Sequence, residues 1–342
     1  MSDGAKGKNP ILFNRYGITR VVWRALLYPL ILGAAVIALG IVFSPLLGRT
    51  EFSVGATSLE DIGPGFVLAG YAMLIAALLV AGYVMTRFLD RRPFAGIGLG
   101  LHERWGTELG TGLVLGAFFI TAVVLLQTLA GSVRLSPAGG DPGGVAARLL
   151  VHAAIFVCVA VLEELAFRGY ALQLLAEGFS LFGDRAGKIV AALLLSIPFG
   201  VTHYFNTGGT LTGALSTGLA GLILSLAYFR TRSLWLPIGM HVTWNFFMAA
   251  VYSLPVSGEI LPRTPFDASV GGPVWASGGS FGPEGSLFAF LVMIGMAVFL
   301  MRCRGLFISE KAAAWFPAPA ERTAAKEEEA ESKEKPAVEA GP

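Results

Sequence analysis

Apolar runs of about twenty residues recur along the chain, each closed by a short stretch in which Arg, Gly, Pro or Asp gather. The runs are continuously apolar and do not alternate, so they do not read as the strands of a membrane barrel. A helix needs about 20 mostly apolar residues to cross a bilayer, and in lipid its backbone groups must bond within the segment. The pattern predicts spans over 25–47, 66–86, 109–130, 149–175, 188–205, 211–229, 234–254 and 286–301. The expected fold class is therefore all-α: a polytopic transmembrane helix bundle of about eight spans. The fifth and eighth runs are short.

The placement of Lys and Arg supplies a test of that count. With eight spans, one set of loops carries Lys6, Lys8, Arg15, Arg20 and Arg24, then Arg87, Arg91, Arg92 and Arg104. The same set continues with Arg185, Arg230, Arg232, Arg302, Arg304 and Lys311, whereas the other set holds only Arg49, Arg134, Arg148 and Arg263. Cytoplasmic loops are the Lys/Arg-rich ones, so both termini are expected to be cytoplasmic. Residues 1–24 then form a cytoplasmic and interfacial segment, 25–304 the transmembrane helical domain, and 305–342 a cytoplasmic, largely disordered tail ending in AAKEEEAESKEKPAVEAGP. The stretch 255–285, rich in Gly, Pro and Ser, reads as a loop on the non-cytoplasmic side.

Composition agrees with this layout. Only 14% of the 342 residues are charged and 54% are hydrophobic, against about 25% charge in an ordinary soluble domain. A net charge of +2 gives no reason to expect a nucleic-acid partner; the partner the composition implies is the lipid bilayer. Cys158 and Cys303 have neither metal-type spacing nor a disulfide framework. The first apolar run is too long for a cleavable signal peptide. Richness in Ala, Gly and Leu suggests a multi-pass protein of a bacterial inner membrane.

The chemistry lies where charge enters an apolar run. The fourth span, HAAIFVCVAVLEELAFRGYALQLL, holds Glu163, Glu164 and Arg168 near its centre. A charge there costs about 2.5–3.5 kcal/mol on insertion scales, so these three must face the bundle interior or a watery cavity. Glu164 and Arg168 are four apart and share a helix face, which lets them pair; Glu163 points elsewhere and is left for water or substrate. The fifth span contributes His203 and the seventh contributes His241 and Asn245, again four apart on one face. His102 and His152 lie near loop edges and read as structural. One carboxylate can act as general base toward a water, and Asn and His can donate to an oxyanion. The same groups could instead ligate Zn2+, with Glu163, His203 and His241 as the candidate ligands. No strand-to-helix nucleophile elbow is read in the chain, so nucleophilic Ser chemistry is disfavoured.

Glu163-Glu164-Leu-Ala-Phe-Arg168, Phe199-x-x-x-His203 and His241-x-x-x-Asn245, in that order on separate spans, resemble the CPBP family. That family groups type II CAAX-prenyl endopeptidases with bacteriocin-processing and self-immunity proteins. The resemblance covers about residues 148–250, and Asp90-Arg-Arg-Pro-Phe upstream is similar to the loop before the core in many members. It implies an intramembrane endopeptidase acting on a membrane-bound protein or peptide substrate. It further implies that Glu163 and His203 activate water, that Glu164 paired with Arg168 supports the site, and that His241 and Asn245 stabilise the oxyanion. Family members have been described both as metalloproteases and as metal-free glutamate proteases, and the chain has no H-E-x-x-H motif to favour zinc. Two readings from other classes stand beside it. One is a proton- or ion-coupled transporter, since buried Glu, His and Arg also make proton relays. The other is a non-catalytic membrane interaction protein on the same scaffold.

Overall fold

The computed structural model describes residues 11–12, 19–47, 63–139, 141–261 and 265–315. Most of the expected N-terminal segment, and the tail beyond residue 315, lie outside them. Six helices are long and apolar enough to cross a membrane. They are α1 (Val21–Leu47), α2 (Pro64–Val84), α3 (Trp105–Leu129), α4 (Pro142–Glu164), α5 (Asp184–Tyr204) and α6 (Leu211–Thr231). A π-helical turn, Met85–Asp90, continues α2. Another, Leu165–Gly169, joins α4 to a further helical stretch, Ala171–Gly178. The chain is an integral membrane protein built mostly of helices.

The seventh and eighth expected spans are occupied by shorter rods. These are α7 (Trp235–Phe246), prolonged by a π-helical turn Phe247–Val251, and α8 (Leu287–Arg302). At 1.5 Å per residue, the 16 residues of α8 reach about 24 Å, short of a hydrocarbon core of about 30 Å. By length and apolarity six helices among the described residues are candidate spans, and α7 and α8 are shorter. Between the two, Phe281, Pro283, Glu284, Gly285 and Ser286 are buried, so loop and short 3-10 turns fill part of the bundle there. Such backbone is tolerated at depth only where protein covers it.

Local signals explain the helix starts. Asp141, Thr210 and Ser286 each accept a backbone N–H three residues on, which caps α4, α6 and α8. Pro142 stands in the first turn of α4, where its missing N–H is no loss. Close packing is set by small residues. On α3, a side chain at Gly112 would strike the Leu236 carbonyl and one at Gly116 the Met240 carbonyl, so α3 and α7 touch backbone to backbone.

Loop contacts sort to two ends. At one, Arg24 is buried between Asp90 (2.8 Å) and Glu177 (2.5 Å), Arg92 also reaches Asp90 (2.9 Å), and Arg230 donates to the Cys303 carbonyl (2.7 Å). Near that end Trp315, in the short helix Glu310–Trp315, lies edge-on to His102. At the other end β1 (Val133–Pro137) pairs antiparallel with β2 (Phe266–Val270), Gln127 donates to the Ala276 carbonyl (3.0 Å), and Asn206 donates to the Ser257 carbonyl (2.7 Å). The loops expected to be rich in Arg thus share one end, and the Gly/Pro-rich loop lies at the opposite one.

Candidate active site

The charges of α4 sit where the helix changes its winding. The α-helix ends at Glu164 and the following turn, which contains Arg168, is π-helical; single π turns of this kind are frequent at functional sites. Glu164 and Arg168 are both fully buried and their side chains meet at 3.1 Å. Arg168 also donates to the Gly221 carbonyl of α6 at 3.0 Å and lies 4.5 Å from the centre of the Phe199 ring. The expected pair is therefore formed, and it binds α4 to both α5 and α6.

The close approach of α3 and α7 sets the face that α7 turns to α4. His241 Nδ1 lies 3.0 Å from Glu164 Oε1, the same oxygen that Arg168 holds. A carboxylate paired to an arginine accepts, so Nδ1 carries the proton and the Nε2 side of the ring is aimed 3.7 Å from Glu163 Oε2. Glu163 is the more open of the two acids, with its side chain 24% exposed against 0% for Glu164. Neither Glu163 Oε2 nor Glu164 Oε2 has a protein hydrogen-bond partner. His203 Nδ1 lies 2.7 Å from the Phe199 carbonyl one turn back. A carbonyl can only accept, so the proton is on Nδ1 and the lone pair on Nε2. The Phe199 ring stands 4.9 Å from the His203 ring and 6.4 Å from that of His241. Phe199 therefore spaces the two histidines as well as covering Arg168.

His203, His241 and Asn245 line one cavity with Phe199 and Trp244. Its remaining wall includes Ser257 and Glu284 from the loop before α8, and Met293 and Met296 from α8 itself. Glu284 escaped the sequence reading because it lies in a stretch whose Gly, Pro and Ser content signals only a loop. The fold carries it inward. Its Oε1 accepts the Trp244 indole N–H at 3.0 Å, and Oε2 accepts the Ser257 N–H and hydroxyl, both at 2.9 Å. Burial pushes its carboxyl up from the ordinary range, and the Ser257 and Trp244 donors oppose that rise. The two histidines read as structural are buried elsewhere: His102 lies 3.3 Å from Glu108, and His152 is on α4, three turns before Glu163.

The family model of the type II CAAX prenyl endopeptidase Rce1-like proteins matches residues 145–247. Residues 145–247 are an Rce1-like domain. No curated protein and no solved structure matches the chain. At the level of the family, this is an intramembrane CAAX-type endopeptidase domain. The Rce1-like domain contains Glu163, Glu164, Arg168, His203, His241 and Asn245, whereas Ser257, Glu284, Met293 and Met296 fall beyond it. The zinc alternative can be tested on donor positions. Zinc sites take three or four protein donors at about 2.0–2.3 Å. Among the described residues no three His, Cys, Asp or Glu side chains are grouped to hold an ion. His241 turns both nitrogens to carboxylates and His203 commits Nδ1 to a carbonyl. The donors of the Rce1-like domain, as arranged, do not fit Zn2+.

Proposed function

We propose that the Rce1-like domain hydrolyses peptide bonds of membrane-associated protein or peptide substrates, with Glu163 as the general base toward the attacking water. The observation that carries this reading is the shared oxygen of Glu164, which Arg168 holds on one side while His241 Nδ1 binds it on the other. This arrangement fixes the His241 tautomer and leaves a carboxylate, Glu163, facing its second nitrogen. Glu163 takes a proton from water as the hydroxide oxygen bonds to the scissile carbonyl carbon. The Asn245 amide donates to the oxyanion that forms, and loss of one such donor typically costs about 10²–10³ in turnover. His203, with its lone pair on Nε2, is the second group able to hold the moving proton. When the C–N bond breaks, that proton goes to the leaving amine. Glu164 and Arg168 do not touch substrate; they hold His241.

The test is Glu163→Gln, which keeps shape and removes the base. Cleavage of a membrane-bound peptide by the full chain in liposomes should be lost while the melting temperature stays at the parental value. Cleavage at the parental rate would remove Glu163 from the role of base. Metal analysis of the same preparations adds a separate arm: stoichiometric zinc that disappears in His203→Ala and His241→Ala would replace the metal-free mechanism with a zinc-dependent one.

A further inference from the structure

The cavity wall mixes polar and apolar groups. Its polar groups include His203, His241 and Asn245, and its wall also holds Glu284 and the flexible apolar side chains Met293 and Met296. Glu284 is 8% exposed, and every donor that reaches its carboxylate is neutral: the Trp244 indole and the N–H and hydroxyl of Ser257. Among the described residues no ion pair joins it to Lys or Arg; the base that acts on its charge is His203 of the same cavity. Buried carboxylates are ordinarily paired with a cation or bound to one. Both oxygens accept, Oε1 from Trp244 and Oε2 from Ser257, so Gln at this position would keep only one of the two acceptors. A carboxylate has about four acceptor positions, and three are taken here. A cation entering the cavity would hold this carboxyl in its charged form against the effect of burial and be attracted by it.

Long basic side chains bury an apolar stem and keep the charged head with polar partners. The cavity wall offers both kinds of surface in Glu284, Met293 and Met296. We propose that this wall is a subsite for a basic side chain of the substrate. Its stem lies along Met293 and Met296, and its ammonium or guanidinium meets Glu284. The proposal rests on the hydrolytic reading for the word substrate, but the cation subsite itself does not depend on turnover. The subsite favours cleavage beside a Lys or Arg of the substrate.

Two arms test it on the full chain in detergent. The first measures binding of n-butylguanidinium by calorimetry, with pentanamide as the uncharged control. The parent should bind the guanidinium at least tenfold more tightly than Glu284→Gln, with no such difference for pentanamide. Met296→Lys, which lays a tethered cation in the subsite, should also abolish guanidinium binding and serves if Glu284→Gln does not fold. Equal binding by the parent and either variant, or no binding by the parent, overturns the subsite. The second arm maps cleavage sites in a peptide mixture by mass spectrometry. Lys or Arg should be enriched within two residues of the cut, and Glu284→Gln should lower kcat/KM at those sites at least tenfold relative to uncharged ones. No enrichment, or enrichment that persists in Glu284→Gln, overturns the proposal. Guanidinium binding that depends on Glu284 without any cleavage by the parent would refute the hydrolytic reading and leave the cation subsite standing.

Discussion

Arg168→Ala removes the cation on which three helices converge. Arg168 is 1% exposed and Glu164 0%, so neither can turn to water when the other is lost. The substitution takes away the 3.1 Å bond to Glu164 and the 3.0 Å bond to the Gly221 carbonyl. Breaking a buried pair from one side costs about 3–5 kcal/mol, and an orphaned carbonyl about 1–3 kcal/mol. Two effects reduce that sum. Glu164 keeps His241 as a partner and can take up a proton instead of remaining charged. The unfolded reference in a membrane also finds partners, which lowers measured hydrogen-bond couplings there to about 0.6 kcal/mol on average. A net loss of about 3 kcal/mol follows, read as a lower melting temperature in detergent and lower accumulation. The decisive comparison is the double variant Arg168→Met with Glu164→Gln, in which no lone charge is left. It should recover much of the stability, with a coupling of about 2 kcal/mol from the double-mutant cycle. Parental melting of Arg168→Ala, or strict additivity in the cycle, would refute the claim that these two residues depend on one another.

Two further predictions bear on the scaffold. A reporter inserted at 271–272, in the loop after β2, and one fused to the C-terminus should read on opposite sides of the membrane; readings on one side would break the alternating arrangement of the eight rods. Gly116→Leu should force α3 from the Met240 carbonyl and Thr243 hydroxyl of α7, at a cost of about 1–3 kcal/mol. Because α7 carries His241 and Asn245, cleavage should fall more than stability does; unchanged turnover in a folded Gly116→Leu protein would show that the crossing does not position them.

Much of this was open to reading from the chain because lipid leaves a sequence few choices. Continuous apolar runs had to become helices, and three charges in one run had to face inward. The i,i+4 spacing of Glu164 and Arg168 was enough to pair them. What stayed hidden are contacts between helices distant in sequence, which leave no periodic trace. The bond from His241 to Glu164 spans 77 positions. The commitment of His203 to the Phe199 carbonyl depends on a rotamer, which spacing does not determine. The loop before α8 was the largest gap. Gly and Pro announce a turn without saying where the turn leads, and here it leads inward because Gly213 leaves room on α6 for the Phe281 ring. The lengths of α7 and α8 follow from the same inward path, since chain spent on the loop is not available to lengthen either helix.

The division between the family segment and the rest of the chain has a physical logic. Hydrolysis needs carboxylate, imidazole and amide groups held at fixed separations, and all of those proposed here stand on three helices within 145–247. Recognition of a substrate needs surface that can change without moving those groups. The parts of the cavity that could change in this way, Ser257, Glu284, Met293 and Met296, come from the loop and the final helix beyond that segment. A loop pinned by side-chain bonds can exchange one side chain for another without repacking a helix crossing, whereas α7 cannot shift without meeting Gly112 and Gly116. If Glu284 selects the substrate, proteins that share the 145–247 chemistry can differ in what they cut through residues that the shared segment does not contain. Preference for a basic residue beside the cut should then transfer with residues 253–296 when that stretch is grafted, and should not transfer with 145–247 alone.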